Sequence, residues 1–128
     1  MAIVWQLEKD RPMIEVVVSG EGGEQHCCLV ADTGAGNRRS KFEIVLEDWI
    51  CRRTGGMVIG QIKLGGAYSG WFEVYLIEIR VPALQFVDSV PIVGVTTVPA
   101  GFDGIAGFRF LSRFHFGNFA NPDQFGLE

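Results

Sequence analysis

The sequence predicts an all-β protein with one short helix near its C-terminal end. Seventeen glycines are combined with many valines and isoleucines in a chain of 128 residues, and this composition is typical of strands joined by tight turns. The length predicts a single domain, residues 1–128, that is large enough for a hydrophobic core. Apolar residues make up 48% and charged residues 20% of the chain, which excludes a disordered protein.

Apolar and β-branched runs predict the strands, and glycine-rich or polar segments separate them. The predicted strands cover residues 3–7, 13–19, 25–31, 42–46, 57–64, 71–79 and 89–98. Residues 13–31 form a hairpin that ends immediately before Asp32. A second, longer hairpin spans residues 57–79, and its tip at residues 65–70 is rich in glycine.

The helical content predicted from the sequence is small. Residues 47–53 are compatible with a single helical turn that the following glycine pair ends. Large apolar residues at helical spacing predict the short C-terminal helix over residues 108–114. The remaining segment, residues 116–128, contains glycine, asparagine and proline and is interpreted as the tail of the domain.

Charge and cysteine usage exclude several classes of function. The net charge of -4 argues against nucleic acid as a partner, because the chain lacks the broad basic excess that phosphate binding requires. No apolar run is long enough to span a membrane, so no membrane partner is expected. The first ten residues lack a basic region followed by an apolar run. Three cysteines, two of them adjacent, do not form a disulfide framework, and we predict a cytoplasmic protein with reduced thiols.

The histidines and cysteines raise the question of a metal site. Cys27 and Cys28 are adjacent, and adjacent residues of a strand point to opposite faces. The spacings typical of zinc ligands do not occur with Cys51, His26 or His115. We therefore predict no metal and no other cofactor.

The stretch Ala31-Asp32-Thr33-Gly34-Ala35-Gly36 is the strongest candidate for chemistry. An apolar strand precedes Asp32, and a glycine-bearing turn follows it. A carboxylate placed just beyond a buried strand is held rigidly and still reaches a cleft. Asp32 is therefore a candidate catalytic acid.

With its partner stretch, this segment resembles the retropepsin-like aspartic proteases, in particular small bacterial single-domain members. Residues 29–35, Leu-Val-Ala-Asp-Thr-Gly-Ala, are similar to the family's first motif. Residues 104–111, Gly-Ile-Ala-Gly-Phe-Arg-Phe-Leu, are similar to its hydrophobic-hydrophobic-glycine motif, which opens a helix. The glycine-rich tip at residues 64–71 lies between them, where the family has its flap. The resemblance covers about residues 13–115.

The resemblance implies a closed, barrel-like acid-protease fold and an aspartic endopeptidase. In such enzymes two carboxylates share one proton and activate a water molecule. The chain contains a single Asp-Thr-Gly, so a homodimer is implied, with one Asp32 from each protomer. The substrate would be a peptide or unfolded protein. The implied site residues are, as catalytic residues, Asp32, Thr33 and Gly34, and, as substrate-binding residues, Ala35, Gly65, Gly66, Ala67, Tyr68 and Ile105.

Three positions depart from the family pattern and leave other interpretations open. Ala31, Gly36 and Ala106 are smaller than the residues usual there and are expected to loosen the packing under the site. An alternative is therefore a dimeric peptide-binding or scaffolding module with weak or no turnover. A third interpretation is a protease that acts only on its own precursor or on one partner. Asp103, in Phe-Asp-Gly, is predicted to be a turn residue and not a second catalytic acid.

Overall fold

The computed structural model describes residues 1–66 and 68–128. About half of the chain is in strands and about a tenth in helices. The described strands are β1 (Ile3–Gln6), β2 (Met13–Gly20), β3 (Gly23–Ala31), β4 (Ile44–Glu47), β5 (Met57–Lys63), β6 (Trp71–Val81), β7 (Phe86–Val95), β8 (Gly104–Ala106), β9 (Phe116–Gly117) and β10 (Gln124–Leu127). The helices are α1 (Asp48–Arg53), a 3₁₀ helix at Pro82–Leu84, and α2 (Phe108–Leu111).

Six strands close into a barrel, in the order β2-β3-β8-β4-β7-β6. The barrel closes because β2 pairs with β6, with Val17 opposite Arg80 and Ser19 opposite Glu78. β5 pairs with β6 outside this ring and is the edge strand of the sheet. The all-β prediction and the closed barrel are thus confirmed.

Alternation of apolar and polar residues explains how the barrel fills its interior. Inward-facing positions recur at every second residue of a strand, and the largest fully buried side chains come from several strands and both α-helices. They include Tyr75, Phe110, Ile14, Leu29, Ile44, Leu46, Ile50, Ile79, Ile92, Leu111 and Leu127. Burial of these side chains from water is the main driving force for closing the barrel.

The turn of the first hairpin requires its glycines because it packs on the end of α1. A Cβ on Gly20 would lie 2.1 Å from the carbonyl oxygen of Thr54, and one on Gly22 would lie 2.2 Å from that of Arg53. The Gly22 amide donates a hydrogen bond to the Thr54 oxygen at 3.2 Å. This contact fixes the hairpin that leads into Asp32.

The C-terminal segment contains regular structure to which the sequence prediction assigned no element. Residues 116–128 contain two strands, and β10 pairs with both β1 and β9 in a separate three-stranded sheet. The short run from 124 to 127 acquires a strand partner from the other end of the chain. The helical turn predicted at residues 47–53 corresponds to α1, and the predicted C-terminal helix corresponds to α2, whereas the 3₁₀ helix at Pro82–Leu84 was not predicted. Among the described helices, none has the length and apolar character needed to cross a membrane.

Candidate active site

Asp32 lies at the point where β3 leaves the barrel. β8 runs parallel to β3, with Ala31 opposite Ala106, and the Asp32 amide donates a hydrogen bond to the Ala106 oxygen at 3.0 Å. The Asp32 side chain is half-buried. Its Oδ1 accepts a hydrogen bond from the Gly34 amide at 2.8 Å. The carboxylate is therefore oriented by its own turn and remains open on one side.

The second motif fastens the turn from behind. The Ala35 amide donates a hydrogen bond to the backbone carbonyl oxygen of Asp32 at 3.1 Å. The Ala35 carbonyl oxygen accepts one at 2.9 Å from the amide of Phe108, the first residue of α2. A Cβ on Gly107 would lie 2.7 Å from the Ala35 oxygen, so only glycine permits this approach. Ala35, predicted to contact substrate, joins the turn that carries Asp32 to α2 through its backbone.

Of the three unusually small residues, two are buried between neighbouring strands and the third lies at a tight turn. Ala31 and Ala106 are cross-strand neighbours and are both buried, Ala106 completely. Gly36 has a φ of 77°, and a Cβ there would lie 2.7 Å from the Ser40 Oγ. A glycine is therefore required at position 36, because the following loop folds back on it.

The hairpin β5–β6 packs against the barrel next to β8. One apolar cluster contains Ile62 and Tyr68 from this hairpin, Val45 and Val93 from the barrel, and Ile105 of β8. Tyr68 and Ile105, both predicted to bind substrate, are thereby brought into one cluster beside the turn that carries Asp32. Burial raises the pKa of Tyr68.

The other predicted flap residues lie at the exposed tip. Gly65 and Gly66 have open space where a Cβ would be placed, and Gly66 has a φ of 66°. The Gly65 oxygen accepts a hydrogen bond from the Tyr68 amide at 3.3 Å. Ala67, also predicted to bind substrate, lies outside the described residues. Thr33 and Gly34, both predicted to be catalytic residues, are exposed on the turn that carries Asp32.

Asp103 is a structural residue at the opposite end of β8 from the site. Its carboxylate accepts a hydrogen bond from the Cys28 amide at 2.9 Å, and its own amide donates to the Cys28 oxygen. Asp32 is four residues further along the strand direction, which places it about 13 Å away at ~3.3 Å per residue. Asp103 and Asp32 of the same chain therefore cannot form a carboxylate pair.

The cysteines have the properties of buried thiols. Cys27, Cys28 and Cys51 are all free. Burial raises the pKa of Cys27 and of Cys51 to about 12 and that of Cys28 to about 11. They are therefore protonated at neutral pH, and none of them has the character of an activated thiolate nucleophile. Among residues 1–66 and 68–128, no group of three or more His, Cys, Asp or Glu side chains has a geometry that could hold a metal ion.

A buried ion pair under the site was missed from the sequence. Glu43 lies in the segment 42–46 that was predicted as a strand, and its side chain is only 1% exposed. Arg113 binds both Glu43 oxygens, at 2.6 and 2.9 Å, and also Asp88 at 2.7 Å. Hydrogen bonds to Glu43 and Asp88 raise the pKa of Arg113, against the opposing effect of burial. Its partners are 25 and 70 residues away, so no local pattern identifies the network.

The backbone of Glu43 connects this network to Gly107, behind the turn that carries Asp32. The Glu43 oxygen accepts a hydrogen bond from the Gly107 amide at 2.9 Å. Arg109 approaches the Glu43 carboxylate to 3.8 Å and donates to the Ser40 oxygen at 2.7 Å. From the sequence, two roles were equally possible for Arg109: an ion pair that supports the site, or a solvated position on the helix. The two contacts favour the supporting role.

Comparisons with known proteins provide no assignment: no family model, no curated protein and no solved structure matches this chain.

Proposed function

We propose that the protein is an aspartic endopeptidase of the retropepsin-like type that works as a homodimer. The observation that carries the proposal is the half-exposed Asp32 carboxylate, held by the Gly34 amide on a turn fastened to β8 and α2. A rigid acid at the end of β3, beside the strand β8 on which the hairpin packs, suits general acid–base chemistry.

The second carboxylate of the site would be Asp32 of another copy of the chain. Asp103 is too far from Asp32 to take this role, and an isologous dimer places the same residue on both sides of its two-fold axis. Two carboxylates about 3 Å apart share one proton, because like charges that close cannot both ionise. One would take a proton from water as the water attacks the amide carbon, and the other would donate a proton to the carbonyl oxygen. The pair titrates as a unit, so neither copy has a fixed role.

The flap would complete the site around an extended peptide. Main-chain hydrogen bonds between the peptide and the hairpin would act as an added strand does. The apolar cluster of Tyr68 and Ile105 would contact side chains of the substrate. Closure over the peptide would exclude water other than the nucleophile.

Cleavage of an unfolded protein substrate between pH 4 and 7 tests the proposal. Asp32→Asn keeps an oxygen for the Gly34 amide and removes the acid, so we expect the rate to fall by at least about 10²-fold with the fold intact. Asp10→Asn, at an exposed position, is the matched control and is expected to retain full activity. Equal rates for wild type and Asp32→Asn would reject the proposal.

A mixing experiment tests the shared site. If each site needs Asp32 from both chains, equal amounts of wild type and Asp32→Asn, after exchange, contain about one quarter wild-type dimers. Activity should then fall to about one quarter of that of the same total amount of wild type. A fall to one half would indicate independent chains.

The alternative function is a scaffolding module, motivated by the small residues at 31, 36 and 106. Wild-type protein that binds peptides without cutting them would support this alternative.

A further inference from the structure

A cleft of about 400 Å³ lies between the loop that follows the catalytic turn and the flap hairpin. Its apolar walls are formed by Phe42 and Leu64, both half-buried in the cluster that also contains Ile105. Trp71 stands at its edge and is 69% exposed. A volume of this size is within the range of about 300–1,000 Å³ that is usual for ligand clefts.

The rim of this cleft is cationic in a protein that is acidic as a whole. Arg39, Lys41 and Lys63 line it, and no aspartate or glutamate does. The chain contains three lysines and a net charge of -4, so two of the three lysines are concentrated at one place. Positive charge gathered in a concave surface raises the local concentration of anionic ligands.

These three cations are not neutralised within the described part of the chain. The ion pairs found there use other basic groups: the N-terminal amine, Arg52, Arg80, Arg109 and Arg113. Glu73, opposite Gln61 in the hairpin register, forms no ion pair with Lys63 in the same residues. The charges are therefore available to a ligand.

The loop that carries two of the cations is held in place. The Asn37 amide donates to the Ser40 Oγ at 2.8 Å, and the Arg39 amide donates to the Asn37 Oδ1 at 2.8 Å. Arg109 fixes the same loop through the Ser40 oxygen. Binding therefore does not need to order this backbone, which lowers its entropic cost.

We propose that this cleft binds an acidic segment of the peptide substrate, next to the bond that is cut. The inference rests on the proposed function, because the loop continues directly from the catalytic turn and the opposite wall is the flap. Carboxylates of the peptide would pair with Arg39, Lys41 and Lys63, and apolar parts would contact Phe42 and Trp71. A nucleic acid fits less well, since proteins that bind it neutralise many phosphates and this cleft offers three cations.

Peptide binding to full-length Asp32→Asn protein tests this inference without requiring turnover. The probes are two fluorescein-labelled eight-residue peptides that differ only in carrying two glutamates or two glutamines. We expect the acidic peptide to bind about five- to tenfold more tightly at low salt, with the difference shrinking as salt screens the charges. Lys41→Gln and Lys63→Gln should each weaken its binding by about two- to fivefold. Lys9→Gln, which makes the same charge change at an exposed site elsewhere, should not.

Several results would overturn the inference. Equal affinity for the two peptides, or the same loss with Lys9→Gln as with Lys41→Gln, would remove the cleft as the cause. A single-stranded RNA homopolymer that bound more tightly than the acidic peptide through the same lysines would assign the cleft to nucleic acid. Failure of the proposed function is seen separately, as wild-type protein that retains the acidic preference in binding but cuts neither peptide.

Discussion

Two regions of the proposed site have glycines in opposite environments: its floor, which is β8 and Gly107 behind the turn of Asp32, and its flap, which is the hairpin β5–β6. In the floor, a Cβ on Gly104 would lie 2.0 Å from the Val45 oxygen, and one on Gly107 would lie 2.7 Å from the Ala35 oxygen. In the flap, Gly60 and Gly65 have nothing within 4 Å of the corresponding position. Glycine serves close backbone packing in the first region and leaves an uncrowded backbone in the second.

This difference separates the two tasks of the proposed site. The floor must hold a carboxylate at a fixed place, and crowded backbones leave it few other arrangements. The flap packs on the barrel through one apolar face only, while Met57, Val58, Ile59 and Trp71 are at least half exposed. Within the hairpin, β6 belongs to the barrel, and β5 is an edge strand that pairs with β6 alone. An edge strand with exposed side chains opens at lower free energy than a strand paired on both sides, which would suit a cover that admits substrate, as proposed.

The largest effect is expected when the floor is overpacked. In Gly104→Ala, the new methyl group would collide with the Val45 oxygen, and both strands belong to the closed barrel. We expect the free energy of unfolding to fall by about 3 kcal/mol or more. Urea denaturation followed by tryptophan fluorescence measures this change.

Gly65→Ala is the matched control in the flap. The same added methyl group meets open space there, so the free energy of unfolding should change by less than about 0.5 kcal/mol. If Gly65→Ala destabilised the protein as much as Gly104→Ala, the flap would be as tightly packed as the floor and the comparison would fail.

A smaller loss is expected from the ion pair that supports the floor. Glu43→Gln leaves Arg113 facing a neutral amide in a site where Glu43 is 1% exposed. Breaking such a pair is destabilising, because a charge loses its partner away from full solvation. Arg113 is itself 29% exposed, so we expect a loss of about 2 kcal/mol in the free energy of unfolding. Glu21→Gln, at an exposed turn, is the control and should be neutral; equal stability of both variants would show that the network is dispensable.

The sequence predicted most of what is local in this fold. The hairpin that ends at Asp32, the long second hairpin and the helix after Gly107 follow from alternation and from turn residues. The Asp-Gly pair at residues 103–104 indicated a turn residue, and in the structure Asp103 is hydrogen-bonded to the Cys28 backbone.

Long-range relations could not be predicted. β10 is a four-residue strand whose partner, β1, is more than a hundred residues away, so its own residues contain no signal of the pairing. The burial of Glu43 could not be predicted for the same reason. The local pattern of a strand does not reveal the distant Arg113, which permits a buried carboxylate. The cationic cleft is also assembled from two separate segments, residues 39–42 and the flap.

The smallest effect is expected where this network reaches the surface. The hydrogen bond from Arg113 to Asp88 lowers the pKa of Asp88 below its usual 3.8. A carboxyl group with a lowered pKa in the folded state contributes stability that is fully present above its unfolded pKa and is lost as the pH falls through the folded value. Wild type should therefore exceed Asp88→Asn in stability at pH 7, and the difference should disappear under strong acid.

Unfolding midpoints in urea between pH 2 and 7 measure this difference. Asp88 is about half exposed, so solvent screens the pair and the difference is expected to be small and to shrink at high salt. Asp123→Asn, which changes an exposed carboxylate without an arginine partner in the described chain, is the control for a general charge effect. A difference that grew as the pH fell would have the wrong sign for a lowered pKa. Such a result would show that Asp88 does not stabilise the fold as a partner of Arg113, the residue that binds the buried Glu43.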